Sequence, residues 1–361
     1  MQSIADRLRE ASARQQPLEL IGHGSKRFYG GVPLGAPWRL GQEPELLGVR
    51  AFEPSELYVT VGAATPLREL EHLLAQHGQH LACEPPRFGN EGTVGGLVAT
   101  GLSGPARPYQ GAVRDHLLGL TLIDGQGQVL KFGGTLMKNV AGFDVSRLMV
   151  GAMGTLGLIA EATFQVAPLP QVQATLHFHA EHDDALYAMN RAAAQGFPLS
   201  ASAWWDGGLL LRLAGNEAAV ASARQRLGGE VLPAEAADAF WAGLRHQTDE
   251  FFAGAVRAIQ AGSGVAIWRV SVPPTAPLLK VPGEQLIEWG GALRWLVTPL
   301  EGGRIRDLAR RAGGQATLYA AMDKLGPVFE PPSAVLAPVL ARLKAQFDPA
   351  GVINPGRLAA D

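Results

Sequence analysis

Residues 89–104 read GNEGTVGGLVATGLSG, almost half glycine or serine, yet interrupted by the apolar Leu97-Val98-Ala99. Glycines without turn-forming polar neighbours mark places where something must approach the backbone closely. Two more glycine-rich segments, 22–31 and 151–157, fall in the first half of the chain. No GxxxxGK[ST] occurs, and no GxGxxG stands between a strand and a helix, so neither a P-loop nor a Rossmann dinucleotide site is supported. Two of the segments still carry what a phosphate needs. Gly22-His23-Gly24-Ser25-Lys26 follows a short apolar strand and offers consecutive backbone N–H groups, a hydroxyl and a cation. Gly92-Thr93-Val94-Gly95-Gly96 precedes a short apolar helix and is placed to aim its amides at an anion. One such loop alone would read as a tight turn; several in one domain point to a ligand.

At 361 residues the chain is long enough for two domains. A net charge of −2 gives no basic field for nucleic acid. A single cysteine, Cys83, excludes an internal disulfide and any cysteine-ligated zinc or iron–sulfur site, and fits a reducing compartment. The N-terminus mixes acids and bases with no apolar h-region, so no signal peptide is expected. The longest apolar run, 148–160, carries three glycines and is too short to span a bilayer.

Along the chain, strands are expected at 18–21, 46–52, 57–62 and 156–166. Thr65-Pro66 opens a helix with Leu67, Leu70, Leu73 and Leu74 on its buried stripe, and Gly78 ends it. Asp124-Gly125-Gln126-Gly127 between two apolar runs is a hairpin signal. Residues 144–150 read as a short helix. Past Pro170 the glycine loops give way to strand and helix patterns, a sheet with helices on one face. Strands are expected at 171–180, 209–213, 265–272, 293–298 and 316–319. Helices are expected at 183–194, 217–227, 305–312 and 333–347. No strong internal repeat is evident. The fold class is α+β, with domains at 1–169 and 170–332 and a C-terminal helix and tail at 333–361.

The order GHGSK, YVTVGAATPLREL, GTVGGLVATGLSG, GAVRDHLLGLTLIDGQGQVLKFGG and KNVAGFDVSRLMVGAMGTLGLI resembles the FAD-binding domain shared by vanillyl-alcohol oxidase and p-cresol methylhydroxylase (the PCMH type). Within that group the resemblance is to the FAD-binding E subunits of bacterial glycolate oxidases, and the terminal FDPAGVINPGR resembles their closing motif. It covers the first 170 residues densely and the last 15 or so. The resemblance implies a two-subdomain FAD-binding domain with FAD extended between its halves, a second, ferredoxin-like α+β cap, and a tail returning to the FAD domain. The first loop, Gly22, His23, Gly24, Ser25 and Lys26, would wrap the pyrophosphate. Pro86, Gly92, Thr93, Val94, Gly95, Gly96, Thr100 and Gly101 would face the cofactor from the other side. Arg114, Asp115 and His116 match a polar segment near it, and Gly142, Phe143 and Asp144 match the family's Gly-Tyr-Asp. Gly154, Gly157 and Ile159 match the strand along the nucleotide end, and Asn354 would brace the domain. The alignment puts Ser25, not His23, where some members attach FAD covalently, so non-covalent FAD is expected.

Other residues favour plainer readings. His72, His77 and His80 do not converge as metal ligands need to, so no metal is expected. Trp204, Trp205, Trp268 and Trp295 read as core, and Arg269 and Arg294 as strand residues able to hold a carboxylate. Catalytic relatives that oxidise 2-hydroxy acids carry a C-terminal His-x-Gly-Asp-Gly-Asn-x-His motif; this chain has none, and no catalytic residue is assigned. Abstraction from an α-hydroxy acid needs a base within hydrogen-bond reach. The resemblance therefore implies the FAD-carrying subunit of a complex that oxidises glycolate to glyoxylate, an FAD-dependent oxidoreductase acting on CH–OH donors. A catalytic FAD subunit and an iron–sulfur subunit would be its partners, with no nucleic acid. The expected location is cytoplasmic, at the inner face of the membrane through those partners. Two alternatives stay open: a self-sufficient flavin enzyme with a base among Asp206, Glu288, Glu301 or Arg269, and an assembly subunit with a vestigial flavin site.

Overall fold

The computed structural model describes residues 1–89, 92–135, 144–324 and 326–358. The chain divides into two compact units, Met1–Leu102 with Ala112–Pro168 and Pro331–Asp361, and Ser103–Gly111 with Leu169–Glu330. Residues 103–111, expected within the first domain, therefore group with the second unit.

In the first unit, α1 (Gln2–Ala13) buries Ile4, Ala5, Leu8 and Ala11, one stripe at helical spacing. Strand β1 (Leu18–Ile21) runs parallel to β2 (Ala36–Arg39). An antiparallel sheet takes β3 (Val49–Glu53) and β4 (Tyr58–Gly62), and one face is covered by α2 (Leu67–Gln76), which buries Leu67, Leu70 and Leu74. After β5 (Gln79–His80) come α3 (Val94–Thr100), α4 (Arg107–Gln110) of the second unit, and α5 (Val113–His116). Strands β6 (Leu117–Ile123) and β7 (Val129–Gly133) form the expected hairpin. Its turn is held by the Asp124 carboxylate, which accepts the Gln126 and Gln128 amides at 2.9 and 2.8 Å. After α6 (Val145–Leu148), β8 (Leu158–Gln165) inserts between β4 and β6, giving the order β3-β4-β8-β6-β7. Strand β9 (Ala167–Pro168) pairs with β5.

The second unit holds one eight-stranded antiparallel sheet, built from two copies of one topology. In the first half, β10 (Val172–His179), α7 (His182–Ala194), β11 (Leu199–Trp205), β12 (Gly208–Gly215), α8 (Glu217–Leu227) and β13 (Glu230–Val231) give the order β13-β10-β12-β11. Helices α9 (Ala234–His246) and α10 (Glu250–Gln260) follow. In the second half, β14 (Ala266–Ser271), β15 (Glu284–Glu288), β16 (Leu293–Thr298), α11 (Gly302–Arg311) and β17 (Gln315–Ala320) give β15-β16-β14-β17. Each half is the ferredoxin-like order 4-1-3-2, the second without its first helix, and they join where β11 pairs with β15. The duplication escapes the sequence because the linking segments differ in length and the shared pattern is only strand alternation. Segment 103–111 is fixed here by Trp289, whose indole N–H donates to the Gly104 carbonyl (3.1 Å) and whose ring lies 4.5 Å from the Arg107 guanidinium.

The C-terminus returns to the first unit. Helix α12 (Ala337–Phe347) packs Leu343 and Phe347 on the first core. The tail then runs beside β1: the Leu18 amide donates to the Val352 carbonyl (2.7 Å) and the Asn354 amide to the Leu18 carbonyl (2.9 Å). Its bend is organised by Asp348, whose buried carboxylate accepts Lys344 Nζ (2.6 Å) and the Val352 and Ile353 amides (3.2 and 2.8 Å). Asp348→Ala strands those donors. It should lower the urea-unfolding stability, followed by circular dichroism, by about 2–4 kcal/mol.

Candidate cofactor cleft

At the C-terminal end of β1 the chain enters the loop 22–26. Gly24 adopts φ +83°, open to glycine at little cost, and the Arg27 amide closes the turn on the Gly24 carbonyl at 3.0 Å. The backbone N–H groups of Gly24, Ser25 and Lys26 make no hydrogen bond among the described residues. Three successive unused amides form a concave donor array suited to an anion. The loop borders an open cleft within the first unit. Across it stand Ala63 and Ala64 after β4, then Thr93, Gly95, Gly96, Ala99 and Thr100 of α3 and its cap, then Met153, Gly154, Gly157 and Ile159.

The second glycine segment works differently from its sequence reading. Three of its amides are spent inside the protein: Val94 N–H on the Thr65 carbonyl (3.0 Å), Gly95 N–H on the Ala63 carbonyl (2.7 Å) and Gly96 N–H on the Thr93 hydroxyl (3.2 Å). They are not free to cradle an anion. The glycines serve close approach instead. A Cβ on Gly95 would stand 3.0 Å from the Ala63 Cβ, and one on Gly22 2.5 Å from the Thr93 hydroxyl oxygen. The first loop thus lies directly on the cap of α3, and α3 lies directly on the end of β4.

The tail completes the wall. Asn354, at φ +46°, accepts the Leu20 amide (2.7 Å) through Oδ1 and donates Nδ2 to the Met153 carbonyl (2.9 Å). One side chain thereby ties the strand before the first loop to the third glycine segment. A Cβ on Gly154 would meet that Nδ2 at 2.8 Å. Arg357 donates to the carbonyls of Arg27 (3.0 Å), Gly31 (2.6 Å) and Tyr29 (2.5 Å), gathering the far end of the loop, and burial pulls its guanidinium below its ordinary pKa. Arg27 lies across Glu19 as a bidentate pair (2.7 and 2.9 Å), which raises its pKa.

Of the sequence-predicted site residues, the cleft brings together Gly22, His23, Gly24, Ser25, Lys26, Thr93, Gly95, Gly96, Thr100, Gly154, Gly157, Ile159 and Asn354. It leaves out others, each for a visible reason. Pro86 and Val94 are buried, and Gly92 is not part of the lining; a Cβ there would stand 3.0 Å from both Lys26 Nζ and Leu67 Cδ1. Gly101 is the left-handed cap of α3 (φ +62°). Arg114 and Asp115 are exposed in α5, where the Asp115 carboxylate accepts the Ala112 amide (2.8 Å), and His116 ends that helix. Asp144 caps α6 and pairs with Arg147 at 3.0 Å. Gly142 and Phe143 lie outside the described residues. Sequence reasoning passed over Glu19, Ala63, Ala64, Met153 and Arg357. The small pair after β4 and the arginine closing FDPAGVINPGR were the available signals.

In the second unit, Trp268 and Trp295 are core, and Arg294 is fully buried, donating to the Gly291 and Ala276 carbonyls (2.7 and 3.0 Å). Glu288 is buried and accepts the Trp295 indole (2.8 Å). Trp204, Trp205, Asp206 and His182 line a separate, open cavity. No cluster of three or more possible metal ligands occurs among the described residues.

A family model described as an FAD binding domain matches residues 1–133. The chain is 42% identical over its whole length to the glycolate oxidase subunit GlcE of Escherichia coli, covering 97% of that protein. The chain belongs to the GlcE family of glycolate oxidase subunits. More partial likeness links it to the glycolate oxidase subunit GlcD of Bacillus subtilis, 38% identical over 28% of this chain and 20% of that one. A mitochondrial cytochrome D-lactate dehydrogenase of Saccharomyces cerevisiae is 30% identical over 38% and 24% of the two chains. Among solved structures, alkyldihydroxyacetonephosphate synthase shares the fold at TM-score 0.66 and 15% identity, over 98% of this chain and 75% of that one.

The cleft suits the cofactor that the domain implies: three unused amides and a buried ammonium without a hydrogen-bond partner match a diphosphate, and Ala63, Ala99, Met153 and Ile159 give apolar lining for the rest of the molecule. Because Arg357 gathers three carbonyls of the loop, Arg357→Met should speed hydrogen exchange of the 27–31 amides at least tenfold. It should also cost about 2–3 kcal/mol of stability in a denaturant melt.

Proposed function

We propose that this chain carries FAD, held without a covalent bond, as a subunit of a glycolate oxidase that converts glycolate to glyoxylate. The single observation behind this reading is the anion-ready loop 22–26, set in a glycine-walled cleft on a chain alike from end to end to GlcE. When bound, FAD supplies two-electron redox chemistry at its flavin ring. The chain's own residues would bind and orient it. The amides of Gly24, Ser25 and Lys26 and the Ser25 hydroxyl would hold the diphosphate, while Ala63, Gly96, Ala99 and Met153 would form walls against which flat and apolar parts pack. Asn354 and Arg357 would keep the loop in its binding shape.

Proton abstraction from the hydroxy acid belongs, in this reading, to a catalytic flavoprotein partner. The sequence holds no His-x-Gly-Asp-Gly-Asn-x-His motif, and the carboxylate at the cleft, Glu19, is engaged by Arg27. An iron–sulfur subunit would carry electrons away towards a membrane quinone pool; no described helix here is long and apolar enough to cross a bilayer.

The purified chain should show flavin absorption bands, and acid precipitation should release all the flavin into the supernatant. Anaerobic glycolate should leave the isolated chain oxidised and bleach it only when the partner subunits are added. Rapid bleaching of the isolated chain would instead make it a self-sufficient enzyme, and a colourless preparation that takes up no FAD would point to an assembly subunit.

A further inference from the structure

Lys26 ends the first loop, and its side chain runs inward. The residue is only 7% exposed, and its Nζ has no hydrogen-bond partner. It sits beside Gly92 at the start of the second glycine segment, where only a glycine leaves it space. The charged groups around it are accounted for. Glu71, from α2, is paired with Arg87 at 3.3 Å. Glu19, from β1, is paired with Arg27. α3 carries no titratable side chain, and Arg357 of the tail faces carbonyls. The Phe88 ring, 5.6 Å away, gives a weak cation–π contact at most. A buried charge without a hydrogen-bonded counter-ion is costly, and the Coulombic pull of Glu71, itself paired with Arg87, offsets only part of that cost.

We propose that the Lys26 ammonium is reserved for the diphosphate of the bound dinucleotide, so that the protein without cofactor carries an unpaired cation which the cofactor's anion completes. This rests on the FAD reading above. It makes cofactor capture a protonation-linked event. Burial pulls Lys26 from its usual 10.5 to about 8, with Glu71 opposing. Below that value the ammonium is already in place, and affinity for FAD should not change with pH. Above it the free protein has lost the proton. Binding must recover it, because the diphosphate raises the lysine's pKa, so affinity falls about tenfold per pH unit until that higher pKa is reached. The same penalty acts on the cofactor-free fold with the opposite sense: it is present below about 8 and relieved as pH rises towards the unfolded value.

The test is FAD titration of the full-length chain, stripped of flavin, by quenching of flavin fluorescence between pH 6.5 and 9.5, with Lys26→Met and Lys26→Arg alongside. The wild type should hold a constant Kd to about pH 8 and weaken beyond it. Lys26→Met should bind FAD at least tenfold more weakly at pH 7, with no slope, while its cofactor-free melting temperature equals or exceeds the wild type's. A merely structural lysine would instead lower that temperature. Lys26→Arg keeps its charge and should bind without pH dependence across the range; should the methionine variant not fold, this contrast with the sloping wild type still decides. Wild-type affinity flat to pH 9.5, or unchanged affinity in Lys26→Met, overturns the role of Lys26 and leaves the FAD reading intact. A wild type that binds no FAD at any pH overturns both.

Discussion

The Asn354 side-chain amide is the contact on which the cleft depends. It bridges the Leu20 amide and the Met153 carbonyl, and so ties three stretches of chain at one point: the strand before the first loop, the third glycine segment, and the tail. Satisfying a buried backbone donor and a buried acceptor with one planar group fixes distance and direction together, which an apolar contact does not. Asn354 accepts a left-handed backbone to do this, a conformation asparagine tolerates better than most residues. Arg357, one turn further on, repeats the device by collecting three carbonyls. Both hold the loop by its carbonyls and neighbouring backbone and leave the amides of Gly24, Ser25 and Lys26 unused.

That division explains why the two main glycine segments look alike in sequence and act differently. In the first, Gly24 takes a left-handed turn and the amides of Gly24, Ser25 and Lys26 have no internal partners. In the second, absent side chains let α3 rest on Ala63, and the amides disappear into the end of β4 and the threonine cap. A glycine count cannot separate these uses, because the difference lies in which carbonyls are close enough to accept.

The legible parts were those with local causes. The stripe of α2, the Asp124 hairpin and the limits of α8 follow from spacing, capping and turn chemistry held within a few residues. In the second unit, β10, α7, β12 and α8 follow from strand alternation and helical spacing. Long-range facts were not legible. Strands β11 and β15, which join the two half-sheets, and helices α9 and α10 were missed, although the Asp206-Gly207 turn after β11 and the Asp249 cap of α10 were local signals for two of them. At the site, Lys26 was visible as a cation in a loop, but its burial beside Gly92 was not. Arg114, Asp115 and Asp144 were named from the family resemblance alone; the carboxylates of the two aspartates accept backbone amides at helix starts.

The course of the chain through the first unit bears on how the protein is made. That unit is opened by Met1–Leu102, resumed at Ala112–Pro168 and finished only by Pro331–Asp361. The residues that close the cleft, Asn354 and Arg357, follow the whole of Leu169–Glu330 in the chain and so leave the ribosome after it. Until they emerge, β1 lacks its partner on the tail side and the first loop lacks the side chains that gather its far end. The second unit is therefore free to form first, and a truncated chain holds the cleft's loops without the tail that sets their shape.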